Sequence, residues 1–277
     1  MSGRSPGGPS WSGRSITATD RAPVARLALL LGLLAAPVAS GRAEPFLDRL
    51  GVGPDRQPEV LARCGEDRLC AARLLAAADP ARYRLVKVET PDTDTIRWVR
   101  TRPSITAVEP LGDGRLRVRV DRFGRRLLGE LGERVPAGSR ILLDLRGSRG
   151  GDFGRMLRLA RALLGARLEP PLLETETGTT PFRLPGGAAM KLQLEGVLIG
   201  PRTASSAEVL AALATRAGVP LCGARSRGKD WLEEVVPVRQ GWQLFVRRGR
   251  LVVPGVTLTG GLRPERDGAA CLAVAGG

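Results

Sequence analysis

Ile141 to Leu145 (ILLDL) is a run in which apolar side chains follow one another without alternation, broken only by Asp144. A strand with one wet face alternates polar and apolar residues. A continuous run needs cover on both faces, as in a parallel strand packed between layers. The flanking residues agree. Arg115 to Asp121 (RLRVRVD) alternates and reads as a half-exposed strand. Arg122 to Arg134 carries helical spacing in Phe123, Leu127, Leu128 and Leu131, and Pro136-Ala137-Gly138 ends it. After Leu145 come Arg146-Gly147-Ser148-Arg149-Gly150-Gly151 and a helix over about Phe153 to Leu164. Strand, helix, strand, Gly-rich turn and helix make a βαβ arrangement, so an α/β fold is expected.

A second unit of the same kind runs from Gly196 to Glu234. It reads as a buried strand (Val197 to Ile199), a Ser-bearing turn (Thr203 to Ser206) and a helix from about Ala207. A short strand (Val219 to Cys222) follows, then an Arg/Ser/Gly loop ending in Gly228-Lys229. Val235 to Val238, Trp242 to Arg247 and Leu251 to Pro254 read as closing strands, with Trp231 and Trp242 as cleft or core residues. Upstream, a helical stretch over about Glu59 to Ala78 stops at Asp79-Pro80, with strands expected around Arg84 to Glu89 and Thr95 to Arg100. Three segments result: a leader over 1–43, a small helical cap region over 44–110 and a core over 111–277.

Two scarcities narrow the chemistry. There is no histidine, which excludes Ser-His-Asp and Cys-His catalysis and His-ligated metals. Of 43 basic residues only Lys87, Lys191 and Lys229 are lysines. Arg stays protonated in proteins, whereas a buried Lys can lose its proton and act as a base. A hydroxyl at the mouth of a helix and Lys229 beyond the next strand therefore suggest a Ser-Lys pair; the alternative for Ser205 is a helix cap, with Glu208 completing Ser-x-x-Glu. The Gly-rich turn reads as an oxyanion hole at Gly150 and Gly151, a phosphate cradle, or a tight strand-to-helix connection. It lacks the G-x-G-x-x-G and G-x-x-x-x-G-K-[ST] patterns, which weakens the phosphate reading. The net charge of +15 comes almost wholly from Arg scattered among acidic residues, without a nucleic-acid-binding motif, so no nucleic-acid partner is expected.

Leu27 to Ala39 (LALLLGLLAAPVA) follows the basic Arg21 and Arg26 and is shorter than the roughly 20 residues of a membrane span. It fits the apolar region of a secretory signal, with small residues at Val38-Ala39-Ser40 and Gly41-Arg42-Ala43; an uncleaved membrane-anchoring helix is the alternative. An exported, periplasmic or extracellular protein without a stable membrane span is expected. The even set of Cys64, Cys70, Cys222 and Cys271 fits disulfides in such a compartment. Cys64 with Cys70 is the local pairing, and it requires a helix break near Gly65. Zinc is disfavoured by the spacing and the missing His, and neither metal nor cofactor is expected.

LLDLRGSRGG, GVLIGPRTASSAEVLAALATRAG, LCGARSRGK and the closing Gly261-Leu262-Arg263-Pro264-Glu265 together resemble the C-terminal-processing (tail-specific) serine peptidase family. The resemblance covers about Gly114 to Glu265 and implies a ClpP/crotonase-like α/β core and a Ser-Lys dyad. Its register makes Ser205, three positions before Glu208, the nucleophile, Lys229 the base, and the Ser206 N–H an oxyanion donor beside the Gly-rich turn. It implies endopeptidase activity on peptide or protein substrates, in processing or quality control. Two positions depart from the pattern. Glu233 stands where the family has Gln, and Asp230 where it has Gly. A carboxylate beside the lysine favours the charged ammonium, which cannot accept a proton. The departure opens a second reading, a weakened or inactive relative that binds peptides or acts as a scaffold. Residues 44–110 also lack the Gly-Leu-Gly carboxylate loop of the PDZ domain that many members carry.

Overall fold

In a computed structural model of the chain, residues 46–89, 102–111, 114–239 and 241–273 are described. They lie in one compact unit spanning Pro45–Gly277. The export segment and the strand expected over Thr95 to Arg100 fall outside the described residues.

Two five-stranded sheets carry the fold. The first is mostly parallel. β2 (Ile105–Pro110) pairs antiparallel with β3 (Leu116–Val120), and β3, β4 (Arg140–Asp144), β7 (Gln193–Ile199) and β8 (Leu221–Gly223) then follow in parallel. The ILLDL run lies in and just beyond β4, between β3 and β7, where both faces are covered. Ile141, Leu143, Val197 and Ile199 pack under α4 (Leu127–Arg134), α5 (Phe153–Leu164) and α6 (Ser206–Arg216). Leu142 and Leu198 face the other way, against Cys222 and Cys271, and α7 (Gly268–Ala273) closes that side. The expected α/β core is present.

The second sheet is antiparallel. The long β10 (Trp242–Val252) pairs along one edge with β9 (Trp231–Arg239). Its other edge takes β1 (Tyr83–Lys87) and then β5 (Leu172–Thr175), which forms a hairpin with β6 (Gly178–Pro181). The closing strands expected over 242–247 and 251–254 are thus one strand up to Val252. Tyr83, Val236, Val238, Leu244 and Val246 point to one face, where α1 (Phe46–Arg49), α2 (Gln57–Cys64) and α3 (Arg68–Ala78) form the helical cap with Leu47, Leu50, Val60, Leu69 and Leu75.

The stretch read as one helix from Glu59 to Ala78 is two. Gly65 ends α2 at φ 54°, and the Asp67 side chain caps α3 by accepting from the N–H groups of Leu69 (2.8 Å) and Cys70 (3.1 Å). The break brings Cys64 and Cys70 into a disulfide with Cα atoms 5.5 Å apart, and a second disulfide joins Cys222 to Cys271. The helix expected from Arg122 begins only at Leu127. Phe123 instead bridges the Gly-rich turn, its N–H donating to Gly150 O and its carbonyl accepting from Asp152 N.

Candidate active site

The turn between β7 and α6 is tied down before it reaches Ser205. The buried Thr203 donates its hydroxyl to Leu145 O (2.8 Å) and accepts from Gly200 N (2.9 Å), and Ala204 N donates to Ser148 O (3.0 Å). These bonds fix the turn to the end of β4 and to the Gly-rich segment. Ser205 then sits at φ 58°, ψ −129°, alone among the described non-glycine residues in having positive φ. An L residue held there is strained by about 1–3 kcal/mol, which a turn that displays a hydroxyl at a helix mouth must offset elsewhere.

Gly150, at φ 93°, is packed directly against this residue. A Cβ there would lie 2.9 Å from Ala204 O and 3.1 Å from both Ser205 Cβ and Ser206 N. Only glycine brings its backbone so close. Ser206 is buried and donates its hydroxyl to Gly151 O (3.0 Å), binding the two segments together. The N–H groups of Gly150, Gly151 and Ser206 make no hydrogen bond among the described residues. Three uncommitted donors thus lie on the two segments that meet at Ser205, at the positive end of α6, where negative charge is favoured.

Upstream, Asp144 and Arg146 brace the Gly-rich turn. Arg146 donates its Nε (2.9 Å) and Nη2 (2.6 Å) to the buried carboxylate, which also accepts the Arg146 N–H. Burial pushes the Asp144 carboxyl up, but the Arg146 guanidinium and N–H, with Arg119 at longer range, outweigh it and hold it below the usual carboxylate range. The same ion pair raises Arg146.

Glu208 is the residue whose part the sequence understates. Ser-x-x-Glu marks it as a cap partner, and its Oε2 does accept from Ser205 N (3.0 Å). The fully buried carboxylate also accepts from Lys229 N (2.8 Å), Gly228 N (2.5 Å) and the Ser226 hydroxyl (2.5 Å). It therefore clamps the Ser205 turn to the loop that carries Lys229. The closing Gly-Leu-Arg-Pro-Glu segment holds the far side of that loop, since Leu262 N donates to Ser226 Oγ (2.8 Å) and Ser226 N to Leu262 O (3.1 Å).

Lys229 and Glu233 face each other. The Lys229 ammonium forms an ion pair with Glu233 Oε2, which also lies 3.8 Å from Arg84 Nη2 on β1. No hydrogen bond joins Lys229 Nζ to the Ser205 hydroxyl among the described residues. Backbone proximity through Glu208 thus coexists with a lysine side chain turned to the carboxylate at the Gln position. Asp230, buried at the other departure, accepts from Thr259 Oγ1 (2.6 Å) and pairs with Arg250 Nε at 3.2 Å. Trp231 borders a cleft of about 760 Å³, and Trp242 packs at the cap cluster. No cluster among the described residues could hold a metal ion.

A strained serine thus opens α6 beside N–H groups that have no partner among the described residues. The sequence profile of Peptidase family S41 matches residues 125–264, and the chain belongs to that family. The fold is similar to that of a lipoprotein from Streptococcus agalactiae, at 15% identity over 80% of this chain and 88% of that one, with a TM-score of 0.57. A photosystem II D1 C-terminal processing protease matches at 22% identity and a TM-score of 0.44, over 67% of this chain. The chain spans about half (48%) of that protease's length. No curated protein matches the sequence.

Proposed function

We propose that the protein is a serine endopeptidase that hydrolyses peptide bonds with Ser205 as nucleophile and Lys229 as general base. The observation that carries this reading is Ser205 itself, held at φ 58° against Gly150 at the start of α6. In the proposed reaction Ser205 Oγ attacks the scissile carbonyl carbon and gives its proton to the neutral Lys229 amine. The N–H groups of Gly150, Gly151 and Ser206 receive the oxyanion. As the C–N bond breaks, Lys229 returns the proton to the leaving amine; it next takes a proton from the water that attacks the acyl ester, and returns it to Ser205 Oγ as the ester C–O bond breaks. Lys229 must first leave Glu233 and lose its proton, because the paired ammonium cannot accept one.

That ion pair favours a second reading, a family member that binds peptides with little or no hydrolysis. Labelling with a fluorophosphonate separates the two. Incorporation into wild type and none into folded Ser205→Ala supports the peptidase. An unlabelled but folded wild type that stays unlabelled as Glu233→Gln supports the binding protein. We further propose that residues 1–43 direct export to the periplasm or outside the cell, where both disulfides would persist and where the substrates would be proteins awaiting processing or removal. N-terminal sequencing of the protein recovered from the export fraction tests this. An intact Met1 there would refute cleavage. Among the described residues no helix is long and apolar enough to cross a membrane.

A further inference from the structure

We infer that the face of the antiparallel sheet turned away from the helical cap holds a peptide carboxylate at Arg247, beside the proposed base; the inference rests on the peptidase reading and names the class of peptide it takes. Alternation along the strands creates this face. Tyr83, Val246 and Val236 point into the cap cluster, so Arg84 on β1, Phe245 and Arg247 on β10, and Glu233 on β9 point the other way. The contacts follow that alternation, with the Arg84 guanidinium 4.0 Å from the Phe245 ring centroid and that of Arg247 4.1 Å from the Trp231 centroid.

Glu233 is the residue in register with Arg247, but its carboxylate is engaged by Lys229 and Arg84 instead. Arg247 makes no side-chain hydrogen bond or ion pair among the described residues, and its buried Nε has no partner. Contact with the Trp231 ring restrains the guanidinium and so pre-organises a group whose fork matches a carboxylate. Arg247 and Trp231 both line the cleft, which reaches Gly228 and Asp230 on either side of Lys229. Asp79, Glu174, Glu176 and Asp230 line the same cleft, as do Arg82, Arg248 and Arg250. Arg248 and Arg250 are already paired with carboxylates. A polyphosphate chain would meet the four acidic groups along its length, whereas a single carboxylate needs only Arg247, which selects a peptide over a nucleic acid.

The test uses full-length Ser205→Ala, so that binding is read without hydrolysis. Fluorescence anisotropy compares labelled peptides of one sequence in three forms: amidated with a central Gln, amidated with a central Glu, and the Gln form with a free C-terminal carboxylate. At least one carboxylate form is expected to bind about tenfold more tightly than the neutral form, and the better one identifies the source as a side chain or a chain end. In Arg247→Gln, folded by circular dichroism, that advantage should fall below about twofold. Equal affinity for all three forms overturns the inference without any reliance on the variant. So does an advantage that survives in Arg247→Gln, or equally strong competition by a single-stranded oligonucleotide. Fluorophosphonate labelling of wild type reports on the peptidase reading separately, so the failure of that reading and the failure of this inference are told apart.

Discussion

Ser205 and Glu208 divide one task between them. Ser205 carries the backbone strain, and Glu208 gathers the donors that hold it there. Replacing Ser205 by Gly should relieve the left-handed backbone, raising stability by about 1 kcal/mol in urea unfolding while abolishing fluorophosphonate labelling. Unchanged or lower stability would show that φ 58° costs little. Glu208→Ala leaves Ser205 N, Gly228 N, Lys229 N and the Ser226 hydroxyl without their acceptor, so it should destabilise by about 3–5 kcal/mol and suppress labelling together. Asp144 makes an acid-dependent contribution. Its carboxyl is held low in the fold, so its stabilisation is complete above the unfolded value near 4 and is lost as pH falls through the lower folded value. Asp144→Asn should therefore flatten stability against pH below about 4 in denaturation curves. The Ser-x-x-Glu spacing made half of Glu208's role readable. The other half joins it to residues 18–21 positions away, and no local pattern reports that.

Elements with an apolar signature were readable in the chain, and those without one were not. The ILLDL and GVLI runs fall in and around β4 and β7 because burial on two faces requires continuous apolar side chains. The β5–β6 hairpin escaped because Thr175 to Pro181 are exposed polar and turn residues held by backbone pairing, with no face to advertise. Phe123 and Leu127 have the spacing of one helix, yet the backbone of Phe123 pairs with the Gly-rich turn, and long-range pairing wins over local periodicity. The Cys222–Cys271 disulfide ties α7 to β8 across a sequence separation of 49. Removing it by a Cys222→Ala/Cys271→Ala pair should cost about 2–4 kcal/mol and speed hydrogen exchange in α7 and β8 before β4. Uniform loss of protection would mean that the bond supports the whole core instead.

Each sheet supplies one residue of the proposed pair. Ser205 follows a strand of the parallel sheet, while Lys229 leads into β9 and Glu233 lies on β9 of the antiparallel one. The segment read as a cap does not stand apart from either. β1 completes the antiparallel sheet through Tyr83–Lys87 and brings Arg84 to Glu233, whereas β2 completes the parallel sheet beside β3. Without the residues before β2, Leu244, Val246, Val236 and Val238 would lose their apolar cover, and β10 would lose a paired edge. Such apolar faces do not persist in water as a separately folded core. Thermal unfolding should therefore be one transition, with calorimetric and van't Hoff enthalpies equal, rather than separate steps for cap and core. A chain begun at Ile105 should be recovered aggregated or unfolded and unlabelled by fluorophosphonate, even though it keeps Ser205, Lys229 and Glu208. A soluble, cooperatively folding fragment of that length would show instead that the parallel sheet and its serine turn stand without the cap.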